Sequence, residues 1–207
     1  MEPNDTFVAG SKTCGDWRAF RKQLVPGGDV APWRAAFQDY FQARISLRYM
    51  KPIAWIQKYG TKQGEGFSIV AIHCTLVEFL ESTIEGVNYR YVRKGQKLGQ
   101  FEYSQSGPIF VNFLSKRQPF AKSFSEPIAQ DFYESVRCGL LHEARTKNGW
   151  LIRAEDQTGD IVKGRILFRN NFHDALIQFI EWYGKVLSAD KDVQTAFIRK
   201  FNGLCEP

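Results

Sequence analysis

The chain has 207 residues, 43% of them hydrophobic and 14% aromatic, which is ample apolar surface for one full-sized core and excludes a disordered polymer. Its 28 Lys and Arg against 22 Asp and Glu leave a net charge of +6, a balance that tolerates a polyanionic partner without requiring one. Cys14, Cys74, Cys138 and Cys205 lie far apart, with no CxxC and no His at metal-ligand spacing, so they read as reduced thiols and not as a zinc site.

The polar stretch from Met1 to Gly15 lacks the apolar core of a signal peptide, and no window reaches the roughly 18 unbroken apolar residues of a membrane span. The expectation is a cytoplasmic protein with no membrane partner. In chain order, Asp16 to Leu24 reads as a short helix closed by the Pro26-Gly27-Gly28 turn. Asp29 to Met50 reads as a long helix with Pro32 in its first turn, ended or kinked near Pro52 before a further turn through Ile56. Gly60 to Gly66 is a loop.

The most regular helix follows, with Ile69, Ile72, His73, Leu76, Val77, Leu80 and Ile84 at helical spacing and Gly86 as its stop. Residues 87–123 are less regular and strongly basic, with a short helix expected around Ile109 to Leu114. Ser125 as N-cap and Pro127 in the first turn start a helix expected to run to about Arg145 and stop at Asn148-Gly149. Trp150–Arg153 and Ile161–Arg169 alternate like two strands around the turn Asp156 to Asp160, which predicts a hairpin. Asn171 then caps a helix with Phe172, Leu176, Phe179, Ile180, Tyr183 and Leu187 on its apolar face, and a last helix runs from Asp190 to about Phe201. The inventory is an all-α bundle of four to five main helices with a small β-hairpin insertion.

The helix after Ser125 carries the chemistry. At 100 degrees per residue, Ile128, Phe132, Tyr133, Val136 and Leu140 cluster on a core face, and His142 falls almost opposite. Arg137 sits at the border of the stripe. Glu143 points toward the apolar side, which requires a deformed helix or a buried partner. Gly139 in mid-helix suggests close approach by another helix. The plain alternative role for Arg137 is a surface pair with Glu134, one turn back.

The stretch from Phe132 to Trp150, FYESVRCGLLHEARTKNGW, with Arg137 and His142 separated by four residues near a helix end, resembles the signature of the HEPN (higher eukaryotes and prokaryotes nucleotide-binding) superfamily. The helix holding Ala71 to Gly86 is similar to the partner helix of such domains. The resemblance implies a single HEPN-like domain over residues 1–207, with a core at about 66–190 and an N-terminal helical extension at 1–60. It also implies a metal-independent endoribonuclease without cofactor, acting as a homodimer whose facing Arg-and-His helices cleave single-stranded RNA. Family members serve in toxin-antitoxin or defence roles, some held by a protein inhibitor. In this reading His142 is the general acid/base and Arg137 the phosphate clamp. Cys138 stands where active members usually carry a polar residue, so a non-catalytic RNA- or nucleotide-binding or dimerisation module is the alternative. Ala144 replaces a Tyr frequent in nucleotidyltransferase-paired toxins.

Arg145, Lys147 and Asn148, just past the helix, are candidate RNA contacts, as are Arg90, Arg93 and Lys94 within Tyr89–Lys97, which interleaves aromatics with cations. The competing reading of that segment is a solvated loop. His73 reads as a satisfied core residue. His173 falls in a first helical turn, where the helix dipole disfavours a positive charge, and reads as neutral and local.

Overall fold

The computed structural model describes residues 5–61 and 63–206; the first four residues of the polar N-terminal stretch, and Lys62 of the Gly60–Gly66 loop, lie outside them. The chain is mostly helical: seven helices and three small sheets occur among the described residues. The helices are α1 (Cys14–Phe20), α2 (residues 30–59), α3 (Glu65–Glu85), α4 (Ser106–Lys116), α5 (residues 126–143), α6 (Arg169–Leu187) and α7 (Lys191–Leu204). Two compact units are formed, one from residues up to Arg48, Ser82–Gln105 and Glu181 onward, the other from Tyr49–Glu81 and Ser106–Ile180.

The first unit begins with β1 (Phe7–Ala9) and β2 (Lys12–Thr13), an antiparallel pair turned at Gly10, which has a φ of +54°. Thr13 and Asp16 cap α1 reciprocally: the Thr13 hydroxyl accepts from the Asp16 N–H at 3.1 Å, and the Asp16 carboxylate accepts from the Thr13 N–H at 2.8 Å. The helix therefore starts at Cys14, two residues before the expected Asp16, and continues as a single 3-10 turn over Arg21–Gln23.

Within α2, α-helical segments Val30–Ala36, Ala43–Ile45 and Lys51–Tyr59 are joined by π-helical turns at Phe37–Gln42 and Ser46–Met50. The helix passes Pro52 and runs to Tyr59. The wider turn just before Pro52 makes room for a ring that would otherwise press on the carbonyl one turn back.

An aromatic core fills this unit. The rings of Trp17 and Phe201 lie 5.2 Å apart, Phe197 and Phe201 4.4 Å, and Trp17 and Tyr40 5.1 Å, while the Trp17 indole N–H donates to Asn202 at 2.9 Å. Gly86 ends α3 as the sequence predicts, at a φ of +64°, and a Cβ there would meet Ala196 Cα at 2.6 Å. β3 (Asn88–Tyr89) and β4 (Glu102–Tyr103) pair in parallel and bracket the exposed basic segment between them.

The second unit packs α4 and α5 with the leading parts of α3 and α6 around Phe110, Phe113, Phe120, Phe124, Phe132 and Phe172, all fully buried. α4 spans eleven residues, longer than the expected Ile109–Leu114. Glu81 is also fully buried, and Arg117 donates to both its carboxylate oxygens, from Nε at 2.9 Å and Nη2 at 3.0 Å, with Asn112 as a further donor. One cation of the basic stretch is thus spent inside the fold.

The expected hairpin is corrected. β5 (Leu151–Arg153) pairs in parallel with β7 (Ile166–Phe168), and β6 (Val162–Lys163) pairs antiparallel with β7, giving the order β5-β7-β6. The tight turn is Gly164-Arg165, with Gly164 at a φ of +59°, as a two-residue hairpin with Gly at its first central position requires. Asp156 to Asp160 forms a connecting loop instead. Asn171 lies inside α6, which starts at Arg169, and its amide donates to the Asp156 and Asp160 carbonyls at 3.1 and 2.8 Å. It anchors that loop rather than capping the helix.

Among the described residues, α3 alone is long and apolar enough to cross a membrane, and 61% of its most apolar window is buried inside the protein.

Candidate functional site

α5 is not one regular helix. Ser125 occupies the N-cap position but its side chain makes no capping hydrogen bond; α-helical Glu126–Phe132 is followed by a π-helical stretch at Tyr133–Arg137 and then by α-helical Cys138–Glu143. The wider turn changes the angular advance, so positions on either side of it do not share one helical wheel. Ala129, Phe132, Ser135, Val136 and Gly139 are the buried residues, Ile128 is exposed, and Glu143 faces outward. The conflict over Glu143 is resolved by this deformation. Its carboxylate pairs with Arg145 at 2.7 Å and with Lys147, and these two hydrogen bonds, Lys147 first, hold it below the usual carboxylate range.

The helix ends at Glu143, two residues before the expected Arg145, because Ala144 turns left-handed at a φ of 53°. The Arg145 N–H then donates back to the Gly139 carbonyl at 3.3 Å. The group crowding Gly139 is this returning chain: a Cβ there would stand 2.4 Å from the Arg145 carbonyl oxygen. That contact replaces the expected neighbouring helix.

Arg137 does not pair with Glu134, whose carboxylate instead accepts from Gln130. The Arg137 guanidinium lies 3.6 Å from the Glu78 carboxylate of α3 and 5.3 Å above the centre of the Tyr133 ring. The Tyr133 hydroxyl is fixed by Ser106 at 2.8 Å. Arg137 is 18% exposed and Glu78 20%, so this cation is held on a defined platform with one side open. Cys74, buried nearby, has its thiol pushed up to about 12 by burial, against the opposing field of Arg137. Its neighbour Cys138 is half-buried.

His142 is exposed on the last turn of α5, and its ring makes no hydrogen bond or ion pair among the described residues. Lys147 and Asn148 follow the helix end. The Lys147 N–H donates to the Ser135 carbonyl at 2.9 Å, and Asn148, left-handed at a φ of 51°, donates from its amide to the Ser135 hydroxyl at 2.9 Å. Asp131 closes the network, accepting from Ser135 at 2.7 Å, Trp150 at 3.2 Å and Arg165 at 3.0 Å. Burial opposes its charge, but these three donors outweigh it and its carboxyl is held low. Asn148 is thereby a structural latch, whereas Arg145 remains 67% exposed.

Arg90, Arg93 and Lys94 belong to the other compact unit. Arg90 contacts both Glu102 oxygens at 3.1 Å, and Glu102 is held low by the Gly99 N–H and then by Arg90 itself. Arg93 and Lys94 are exposed.

A second cluster joins α3 to α6. His73 Nε2 lies 3.0 Å from His173 Nδ1, and the His73 ring is fully buried, with Nδ1 unpartnered among the described residues. Burial, then the His173 charge, drives the His73 pKa down to about 3; burial lowers His173 as well. His173 is therefore not a local residue. Its partner is a hundred positions away. Among the described residues no three His, Cys, Asp or Glu side chains gather as a metal-holding group.

The residues that pattern reading missed are Glu78, Tyr133 as a platform rather than a core residue, and His173 as a partner. Glu78 and Glu81 inside an apolar helix were the legible signal, since acids there must meet cations. No protein-family model, curated protein or solved structure matches this chain.

Proposed function

We propose that this chain is a HEPN-like helical domain that cleaves single-stranded RNA without a metal or other cofactor, as a homodimer that brings two copies of α5 face to face. The observation that carries the reading is the contrast on α5: Arg137 is held by Glu78 and Tyr133 and is 18% exposed, while His142 is exposed on the last turn and engaged by no hydrogen bond or ion pair among the described residues. An imidazole in water is free to take the proton of an RNA 2′-hydroxyl. The new bond forms between O2′ and phosphorus, the bond to O5′ breaks, and the second copy's imidazole returns a proton to O5′. Arg137 stabilises the charge that develops on the phosphoryl oxygens. The exposed Arg145 and the half-buried Lys147, which together outweigh the single Glu143 they share, add attraction for the backbone. Toxin-type or defence cleavage, restrained by a protein inhibitor, is the setting this chemistry suits.

Incubation of the purified protein with single-stranded RNA in EDTA tests the reading. Fragments with 2′,3′-cyclic phosphate and 5′-hydroxyl ends are expected, and His142→Ala or Arg137→Ala should abolish them. Identical products from the variants would assign the cleavage to a contaminant and overturn the proposal.

One observation favours the alternative module that binds RNA or nucleotide without cleaving: the Arg137 charge already faces Glu78. In that case RNA binding saturates, no new ends appear, and Glu78→Gln tightens the complex.

A further inference from the structure

Apart from α5, a cleft of about 430 Å³ opens within the second unit at the start of two helices. Its walls include Glu65, Gly66 and Phe67 from the first turn of α3, Ile152 and Arg153 from β5, and Arg169, the first residue of α6. This volume lies in the range of small-molecule sites. Two of its lining residues each carry a buried side-chain atom that is unpartnered among the described residues: the Nε of Arg169, a donor, and Oε2 of Glu65, an acceptor. Buried polar groups are nearly always paired, so an orphan donor and an orphan acceptor on the residues of one cleft mark side chains whose polar needs the fold leaves unmet.

The rest of the lining defines its chemistry. Arg169 lies against the backbone of Gly66, where a Cβ would stand 3.1 Å from Nη1 and 3.4 Å from the Ile152 methyl. A side chain at residue 66 would crowd the guanidinium on this turn. Arg153 brings a second cation, and the positive ends of two long helices add to the field. Phe67 is 40% exposed and offers a flat apolar wall. Glu65 opposes a bare anion but accepts a hydrogen bond from a neighbouring hydroxyl or amine.

We propose that this cleft binds a small phosphomonoester bearing hydroxyl donors, a nucleoside 5′-monophosphate or a sugar phosphate. Arg169 and Arg153 take the phosphate oxygens and Glu65 accepts from the sugar. The proposal is independent of RNA cleavage at α5.

Calorimetric titration of the full chain with AMP, ribose 5-phosphate, inorganic phosphate and adenosine tests it. Binding of AMP or ribose 5-phosphate is expected, with inorganic phosphate at least about tenfold weaker and adenosine silent. Equal affinity for the first two identifies a sugar-phosphate site, and a clear preference for AMP identifies a nucleotide site; both support the proposal. Arg169→Gln should weaken binding at least about tenfold, as should Arg153→Gln, an exposed position where substitution leaves the fold intact. Glu65→Gln should tighten inorganic phosphate, opposite to what simple damage would do. Absence of binding by every probe overturns the proposal, as does AMP binding that Arg153→Gln leaves unchanged.

Discussion

With 3.0 Å between His73 Nε2 and His173 Nδ1, the two imidazoles share one proton between facing nitrogens, and full burial of the His73 ring disfavours a second. The folded state therefore admits His73 as the neutral form, whereas the unfolded chain protonates it near its ordinary 6.5. A base depressed in the folded state contributes stability that is complete above the unfolded value. That stability is withdrawn as pH falls toward about 3. The loss approaches about 1.4 kcal/mol per pH unit once below 6.5. Urea midpoints measured from pH 7.5 to 5 should fall steeply for the native chain and less for His73→Gln, whose amide reaches the same partner; parallel slopes would refute the assignment. His73 was legible as a core residue because burial follows helical spacing. Its partner was not, since nothing local in the sequence joins residues a hundred positions apart. Glu78 with Arg137 shows the same limit.

At the scale of elements, the end of α5 rests on two small residues with opposite demands. Ala144 holds a left-handed position that favours glycine, and Gly139 lies where a Cβ would strike the Arg145 carbonyl oxygen. Ala144→Gly is expected to raise stability by up to about 1 kcal/mol by relieving the backbone. Gly139→Ala should destabilise by roughly 1–3 kcal/mol. Thermal unfolding of both variants separates the effects by sign, and a stabilised Gly139→Ala would contradict the packing at this turn. Helices α3, α6 and α7 were legible because unbroken periodicity accumulates over many turns. The faces of α5 were not, because the π-helical stretch resets the angle midway. The sheet was misread for a related reason: strands of two or three residues carry too little alternation to show which of them pair, and the Gly164 turn passed unnoticed inside an apparent strand.

At the scale of the whole molecule, the first unit is assembled from three separate stretches of sequence. Trp17 and Tyr40 contribute from the N-terminal stretch, and Phe197 and Phe201 from the C-terminal one. A fragment of residues 66–190, the core expected from the sequence, keeps none of these four rings and also lacks Ile53, which is fully buried in α2. Such a fragment is expected to lack a cooperative thermal transition by circular dichroism, while the full chain shows one. A sharp transition in the fragment would establish that the second unit folds without its α2 segment. Composition could announce a large core. It could not announce how the chain shares it out.

The Trp17 indole hydrogen bond to Asn202 spans 185 positions. At a ribosomal pace of about 5–20 residues per second, that separation is roughly 10–40 s of synthesis. Throughout that interval Trp17 and Tyr40 have each other, but Phe197 and Phe201, the rings that complete their packing, are still to be translated. The first unit can therefore close only when synthesis is nearly finished, however early its N-terminal helices form.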